Sequence, residues 1–263
     1  MSKPRLESKV ALITGAASGI GEAAARLFVE QGAYVVIADV QDELGRHVVD
    51  SIGPHRSSYI HCDVRDEKQV EDAVKHAIAT YGGLHVLFSN AGVMGPLTSI
   101  LEMDLQEFHH TMAVNVMGVA TTIKYAARVM VERKIRGSII CTTSVTASVG
   151  GVGPHSYCAS KHALLGIVRS AASELGKYGI RVNCVAPYAV ATPLSCGLNN
   201  TDPSELEAGS CAMSNLKGVV LKSIHVAEAA MFLASEESAF ISGHNLVVDG
   251  GFTVVNHSFS IYK

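Results

Sequence analysis

Val10-Ala11-Leu12-Ile13-Thr14-Gly15-Ala16-Ala17-Ser18-Gly19-Ile20-Gly21 is a short run of strand-forming residues that ends in a glycine turn. Beyond the turn, Ile20, Ala23, Ala24, Leu27 and Phe28 recur at helical spacing. That period predicts a helix over residues 19–31, stopped by Gly32. A strand, a glycine turn and a helix in this order present backbone N–H groups at a helix N-terminus, where the dipole favours an anion. Side chains would keep a pyrophosphate away from that backbone, and glycine removes them. The spacing is GxxxGxG, which makes Gly15, Ser18, Gly19, Ile20 and Gly21 the candidate phosphate cradle.

The rest of the chain repeats the alternation. Strands are expected at residues 34–38, 59–62, Val86–Ser89, Ser138–Thr142, 181–186 and Asn245–Val248. Helices are expected at residues 41–52, Glu67–Tyr81, 104–112, 114–133, 156–177 and 226–234. Alternation of this kind implies right-handed crossovers and a doubly wound parallel sheet with helices on both faces. The chain has 263 residues, 48% of them hydrophobic and 17% charged, which suits one such α/β domain over residues 1–263. Residues 193–220 show no clear period and are expected to form a substrate-binding loop.

Net charge is −3 and no Lys/Arg cluster appears, which argues against nucleic acid as a partner. No apolar run approaches the roughly 18 residues that cross a bilayer, so no membrane partner is expected. Residues 1–9 are polar and lack the apolar core of a secretion signal, which predicts a cytoplasmic location. The six cysteines form no CxxC pair and read as free thiols. They and the twelve histidines offer no ligand spacing for a metal.

Asp39 closes the second strand, 18 residues after Gly21. A carboxylate there can accept hydrogen bonds from adenosine ribose hydroxyls and repels a 2′-phosphate. Val40 and Gln41 follow it, with no Lys or Arg, which favours NAD over NADP. Taken alone, Asp39 is equally an ordinary strand-end turn residue; the glycine turn beside it tips the balance. Asp63 with Val64 after the third strand, and Asn90-Ala91-Gly92 after the fourth, fit an adenosine pocket beyond the carboxyl ends of the strands, although each alone is ordinary turn chemistry.

Tyr157 and Lys161 lie four apart at the start of a long helix and so share one face. A phenol is a poor base at neutral pH, and a nearby ammonium lowers its pKa. Lowering it by about three pH units takes about 4 kcal/mol, which Lys161 and a positively charged nicotinamide ring would supply together. Ser144 lies 13 residues before Tyr157 and can reach the same substrate oxygen. Asn115 interrupts the apolar run Ala113-Val114-Asn115-Val116-Met117. It is either a satisfied core amide or a relay that holds a water beside Lys161.

Together Thr14–Gly21, Asp39, Asp63-Val64, Asn90-Ala91-Gly92, Asn115, Ser144, Tyr157, Lys161, Pro187, Thr192 and Asp249-Gly250-Gly251 resemble the short-chain dehydrogenase/reductase family, its TGxxxGxG and YxxxK group. The resemblance runs from about residue 9 to residue 251. It implies a Rossmann-type fold and NAD as cofactor. It implies that Tyr157 is the general base in oxidation, that Ser144 orients the substrate oxygen, and that Lys161 holds the nicotinamide ribose. It gives Asn115 a relay water, and it assigns Pro187, Val190 and Thr192 to the nicotinamide end of the cofactor. It further implies a homotetramer. Two positions depart from the family pattern: Ser89 stands where Asn is usual, and Tyr188 follows Pro187 where Gly is usual.

The runs Ala38-Asp39-Val40-Gln41, His61-Cys62-Asp63-Val64 and 187–194 resemble a plant subgroup of that family, the secoisolariciresinol dehydrogenase-like and terpenoid-alcohol (borneol, isopiperitenol, nepetalactol) dehydrogenases. Met94, Val145, Val152, Leu194, Leu198 and Met213 are the candidate apolar pocket, with His155 as a polar contact or a surface residue. The expected reaction is NAD-dependent oxidation of a secondary alcohol or lactol on a small hydrophobic substrate. The alternative is a non-redox cyclase or isomerase that binds NAD without turning it over.

Overall fold

The computed structural model describes residues 4–255, so residues 1–3 of the polar opening stretch lie outside it, as do residues 256–263. Seven strands form one parallel sheet: β1 (Val10–Thr14), β2 (Tyr34–Asp39), β3 (Ser57–His61), β4 (Val86–Ser89), β5 (Ser138–Thr142), β6 (Arg181–Pro187) and β7 (Asn245–Val248). Their order is β3-β2-β1-β4-β5-β6-β7. The order reverses between β1 and β4, the switch point beside which such sheets bind ligands.

Alternation along the strands divides the core. Val10 and Leu12 of β1 face one layer, and Ala11 and Ile13 the other. The first layer is covered by α3 (Glu67–Tyr81), α5 (Val119–Glu132) and α6 (His155–Leu175), through side chains such as Val74, Ile123, Met130 and Leu164. The second is covered by α1 (Gly19–Glu30), α2 (Asp42–Ile52) and α9 (Ser223–Ala234), through Leu27, Phe28, Val48, Val226 and Met231. Asp66 caps α3 by accepting from Lys68 N at 2.9 Å and Gln69 N at 3.2 Å, and Gly82 ends it at φ 85°.

The sequence expectation differs from the structure at several element ends, among them the start of α9 at Ser223 rather than residue 226. The third strand starts at Ser57 rather than residue 59, because Ser57 pairs with Val35 in the sheet. The helix expected over 114–133 runs on from α4 (Leu105–Met112) through a π-helical segment, Ala113–Gly118, into α5. A single π turn inserted in an α-helix recurs at functional sites, and this one carries Asn115. Residues 193–220 contain two helices, α7 (Pro193–Gly197) and α8 (Pro203–Met213). Each has Pro in its first turn behind a polar cap, Thr192 and Asp202 respectively, a start signal that outweighs the missing apolar period.

Candidate active site

The carboxyl ends of the central strands open on a cleft of about 720 Å3. It is lined by Gly15, Ser18, Gly19, Ile20, Asp39, Asp63, Val64, Asn90, Ala91, Gly92, Ser144, Tyr157, Lys161, Pro187, Val190 and Thr192. Those are the sequence-assigned site residues with two exceptions, Gly21 and Asn115, which lie behind the surface. Gly21 sits under the glycine turn, where a Cβ would collide with the Gly15 carbonyl oxygen.

At one end the turn after β1 fits a dinucleotide. Gly15 and Gly19 have φ of 64° and 59°, a region that disfavours side chains. A Cβ on Gly19 would come 3.3 Å from Thr192 and narrow the passage between the turn and α7. Ser18 precedes α1 without a side-chain cap bond, so it does not occupy the N–H groups that open the helix. Asp39 is buried at the end of β2. Its Oδ2 accepts from Ala17 N and its Oδ1 from Gln41 N, both at 3.0 Å, which fixes the carboxylate in the cleft wall. Asn90 stitches three strand ends together: its Nδ2 donates to the Thr14 and Gly15 carbonyls at 3.2 and 3.1 Å, and its Oδ1 accepts from Thr142 Oγ1 at 2.9 Å. Ser89, one residue earlier, is buried and shares a 2.8 Å hydrogen bond with Thr122.

Sequence reading missed Arg65 and His110 in this cleft. The Arg65 guanidinium grips Asp63 through Nε at 3.0 Å to both carboxylate oxygens and through Nη2 at 2.5 Å. It thereby holds the Asp63 carboxyl below its ordinary pKa. His110 Nδ1 lies 3.4 Å from Arg65 Nη1. The only available signal was the Asp63-Val64-Arg65 run, which does not reveal that the arginine turns back on the aspartate.

At the other end Ser144, Tyr157 and Lys161 meet. Tyr157 and Lys161 are buried on one face of α6, with Lys161 Nζ 5.2 Å from the Tyr157 ring centre. Ser144, two residues beyond β5, stands beside the Tyr157 phenol and lowers its pKa. Lys161 Nζ donates to the Thr142 carbonyl at 2.7 Å. Burial pushes the Tyr157 phenol up to about 12, against a smaller lowering by Ser144. Burial also brings Lys161 down to about 8. The expectation that Lys161 lowers Tyr157 is therefore not met by these side chains alone: the ammonium is desolvated and committed to a backbone carbonyl.

Asn115 is buried and fully engaged. Its amide brackets the backbone of Val93 and donates to Ser160 Oγ at 3.0 Å, and Ser160 Oγ donates to the Tyr157 carbonyl at 2.7 Å. The side chain is thus satisfied within the protein, as a buried amide requires.

Met94, Val145, Val152, Leu194 and Leu198 line the cleft beyond Tyr157, joined by Leu206 from α8. Met213 and His155 do not line it; both are exposed. Tyr188 stands in the wall and stacks on Phe252, with ring centres 4.2 Å apart and planes 17° apart. Among the described residues, no group of three or more His, Cys, Asp or Glu side chains is placed to hold a metal ion, and no helix is long and apolar enough to cross a membrane.

A family model described as Enoyl-(Acyl carrier protein) reductase matches residues 15–253. The chain is 58% identical to Short-chain dehydrogenase reductase 3b of Arabidopsis thaliana, covering 97% of this chain and 99% of that one. It is 51% identical to (+)-cis,trans-nepetalactol synthase NEPS2 of Nepeta racemosa, over 95% of both chains. It is 48% identical to secoisolariciresinol dehydrogenase of Forsythia intermedia, over 98% of this chain and 94% of that one. Among solved structures, that of levodione reductase superposes with a TM-score of 0.88 at 28% identity, covering 96% of this chain and all of the other. By fold, cleft and relatives, this chain belongs to the short-chain dehydrogenase/reductase family, whose Rossmann-type fold implies a nicotinamide cofactor.

Proposed function

We propose that this protein is an NAD-dependent dehydrogenase that oxidises a secondary alcohol or lactol on a small hydrophobic substrate of terpenoid type. The observation that carries the reading is the meeting of Ser144, Tyr157 and buried Lys161 in one cleft that opens on an apolar wall. Gly15, Ser18, Gly19, Ile20 and Gly21 would seat the pyrophosphate. Asp39 would take the adenosine ribose, and Asp63, Val64, Asn90, Ala91 and Gly92 would flank the adenosine. Lys161 would hold the nicotinamide ribose, with Pro187, Val190 and Thr192 along the nicotinamide. When bound, the dinucleotide supplies the hydride acceptor and a positive charge beside Tyr157.

Ser144 fixes the substrate oxygen by hydrogen bonding. Tyr157 takes the hydroxyl proton as the carbinol carbon gives up its hydride, and it returns a proton in the reverse direction. Met94, Val145, Val152, Leu194 and Leu198 exclude water and accept an apolar skeleton. Residues 193–220, two short helices and their connections over this wall, form the substrate-binding segment. A homotetramer, which the resemblance to the family implies, belongs to the same reading.

The test is incubation with NAD and a panel of monoterpenoid alcohols and lactols, followed at 340 nm and by chiral chromatography. NADH formation that disappears in Tyr157→Phe establishes the reading. A second reading, a non-redox cyclase or isomerase, draws on the similarity to a nepetalactol synthase and on a phenol held protonated by burial. Conversion of a reactive dialdehyde with no change at 340 nm would replace the first reading with the second.

A further inference from the structure

We infer that Arg65 is a specificity-determining residue of the cleft: its guanidinium is a flat cationic platform for the purine of a dinucleotide, which is held by its face rather than read at its edge. The inference rests on the dinucleotide reading of the same cleft.

Arg65 stands in the turn that follows β3. That turn is fixed at both of its polar residues: the Asp63 N–H donates to Gln69 Oε1 at 2.8 Å, and the Arg65 N–H donates to Asp63 Oδ1 at 2.9 Å. The side chain then folds back on the aspartate. Nε lies 3.0 Å from both carboxylate oxygens and Nη2 lies 2.5 Å from Oδ2. Nη1 points to His110 Nδ1 at 3.4 Å. A guanidinium donates only in its own plane, so these partners take its edges and leave its two faces without a hydrogen-bonding role. Even so, the side chain is 48% exposed and lines the cleft. A planar, delocalised and weakly hydrated cation of this kind stacks on aromatic rings.

The topology puts this platform where a base would lie. β3 runs beside β2 with His61 in register with Asp39, on the side away from β1. The residues after β3 therefore carry the cleft wall outward from Asp39. A base joined to a ribose at Asp39 meets Cys62, Asp63, Val64, Arg65, His110 and Val114 there. Cys62, Val64 and Val114 are buried and apolar, which suits an uncharged ring. Asp63 is the acceptor placed to read the edge of that ring, but its oxygens are already taken. Oδ1 accepts from Arg65 N and Nε, and Oδ2 from Nε and Nη2, which uses the roughly four lone-pair sites of a carboxylate. The edge of the base is left without that acceptor, and the open face of Arg65 remains.

Three fluorescent ligands test this by titration without turnover: NADH, its hypoxanthine analogue, and reduced nicotinamide mononucleotide, which has no purine. Hypoxanthine keeps the flat face of adenine and replaces the 6-amino donor with an oxygen. The wild type is expected to bind the two purine dinucleotides within about threefold of each other, because stacking tolerates changes at the edge of the ring. Arg65→Lys keeps the charge and the reach to Asp63 but loses the plane. It is expected to weaken both purine dinucleotides about tenfold, to leave the mononucleotide unchanged, and to melt as wild type does, since an exposed ion pair contributes little to stability. A hypoxanthine analogue bound more than about threefold worse than NADH by the wild type means that the edge is read, and overturns the inference. A loss of less than about threefold in Arg65→Lys overturns it too, because Arg65 then serves only to pair with Asp63. An equal loss for the mononucleotide does the same. Wild type that binds none of the three overturns the inference together with the dinucleotide reading, whereas NADH binding with no alcohol oxidised counts against the dehydrogenase reading alone.

Discussion

Asn115 pairs with Val93 as a neighbouring strand would: its Oδ1 accepts from Val93 N at 2.8 Å, and its Nδ2 donates to the Val93 carbonyl at 2.8 Å. The same Nδ2 reaches Ser160, and Ser160 reaches the Tyr157 carbonyl. One buried amide in the π turn therefore ties the segment after β4 to the helix that carries Tyr157. Val93 lies outside any strand or helix, so the side chain does there what a ladder does elsewhere.

Asn115→Leu removes three hydrogen bonds and leaves the Val93 backbone and Ser160 without these partners. Each unpaired buried group costs ~1–3 kcal/mol. The variant is expected to lose ~3 kcal/mol, which lowers Tm by roughly 5–10 °C in a domain of this size. Turnover is expected to fall further than NAD affinity, because the displaced element is α6. Thermal unfolding by circular dichroism, with NAD binding measured alongside, checks both. A wild-type Tm would show that the tie contributes nothing.

The phenol predicts a direction for each half-reaction. Burial holds Tyr157 at about 12 with the protein's own groups, so it is protonated at neutral pH. Oxidation needs the phenolate, and kcat/KM for the alcohol is expected to rise with pH between about 6 and 10. Reduction needs the phenol, and its rate is expected to stay level through neutral pH and fall only in strong alkali. Tyr157→Phe is expected to lose at least about 1000-fold in both directions, within the range known for acid–base catalysis. Parallel pH profiles for the two directions would argue against this assignment.

Lys161 is buried and titrates at about 8 rather than 10.5, with burial as the main cause. Its folded value lies below its unfolded one, so between pH 8 and 10.5 the unfolded chain binds the extra proton. Stability contributed at this site is therefore lowest below pH 8 and rises as pH climbs through that window. The gap corresponds to ~3 kcal/mol. Lys161→Met removes the titration, so wild type should gain stability relative to the variant by up to that amount from pH 7 to pH 10. Denaturant midpoints for the two proteins at both pH values give the comparison. A difference that does not change with pH would mean that the ammonium is better solvated than its burial implies.

The parts of the fold most legible in the sequence were those with a strong local signal. The β1 turn announced itself through Gly15, Gly19 and Gly21, and the reacting pair through the four-residue step from Tyr157 to Lys161. Residues 193–220 were not legible as helices because α7 is only five residues long and α8 is weakly amphipathic, so caps and prolines decide them rather than period. The role of Asn115 was half legible: a polar residue in an apolar run demands a partner, but the partner is the backbone of Val93, and no sequence pattern marks a backbone group. Tyr188 was visible as a departure from glycine, whereas its stacking partner Phe252 lies 64 residues away, where only tertiary structure brings it back.

The proposed preference for NAD rests on Asp39 and on the commitment of Arg65. The Asp39 carboxylate is buried at the strand end and anchored by Ala17 N and Gln41 N, so it has little freedom to withdraw from a 2′-phosphate. Arg65 lines the same cleft, but its guanidinium is spent on Asp63. Two negative groups without a free cation between them repel. Wild type is therefore expected to prefer NAD to NADP by at least about 100-fold in kcat/KM, equivalent to ~2.7 kcal/mol. Asp39→Ala is expected to weaken NAD and improve NADP until the two are used about equally. Val40 is exposed and lines the cleft next to it, so adding Val40→Arg to that variant supplies the missing cation and should turn the preference to NADP. Kinetics with both cofactors across the three proteins decide the matter. Equal use of NAD and NADP by the wild type would mean that Asp39 holds the glycine turn through Ala17 and does not face the ribose at all.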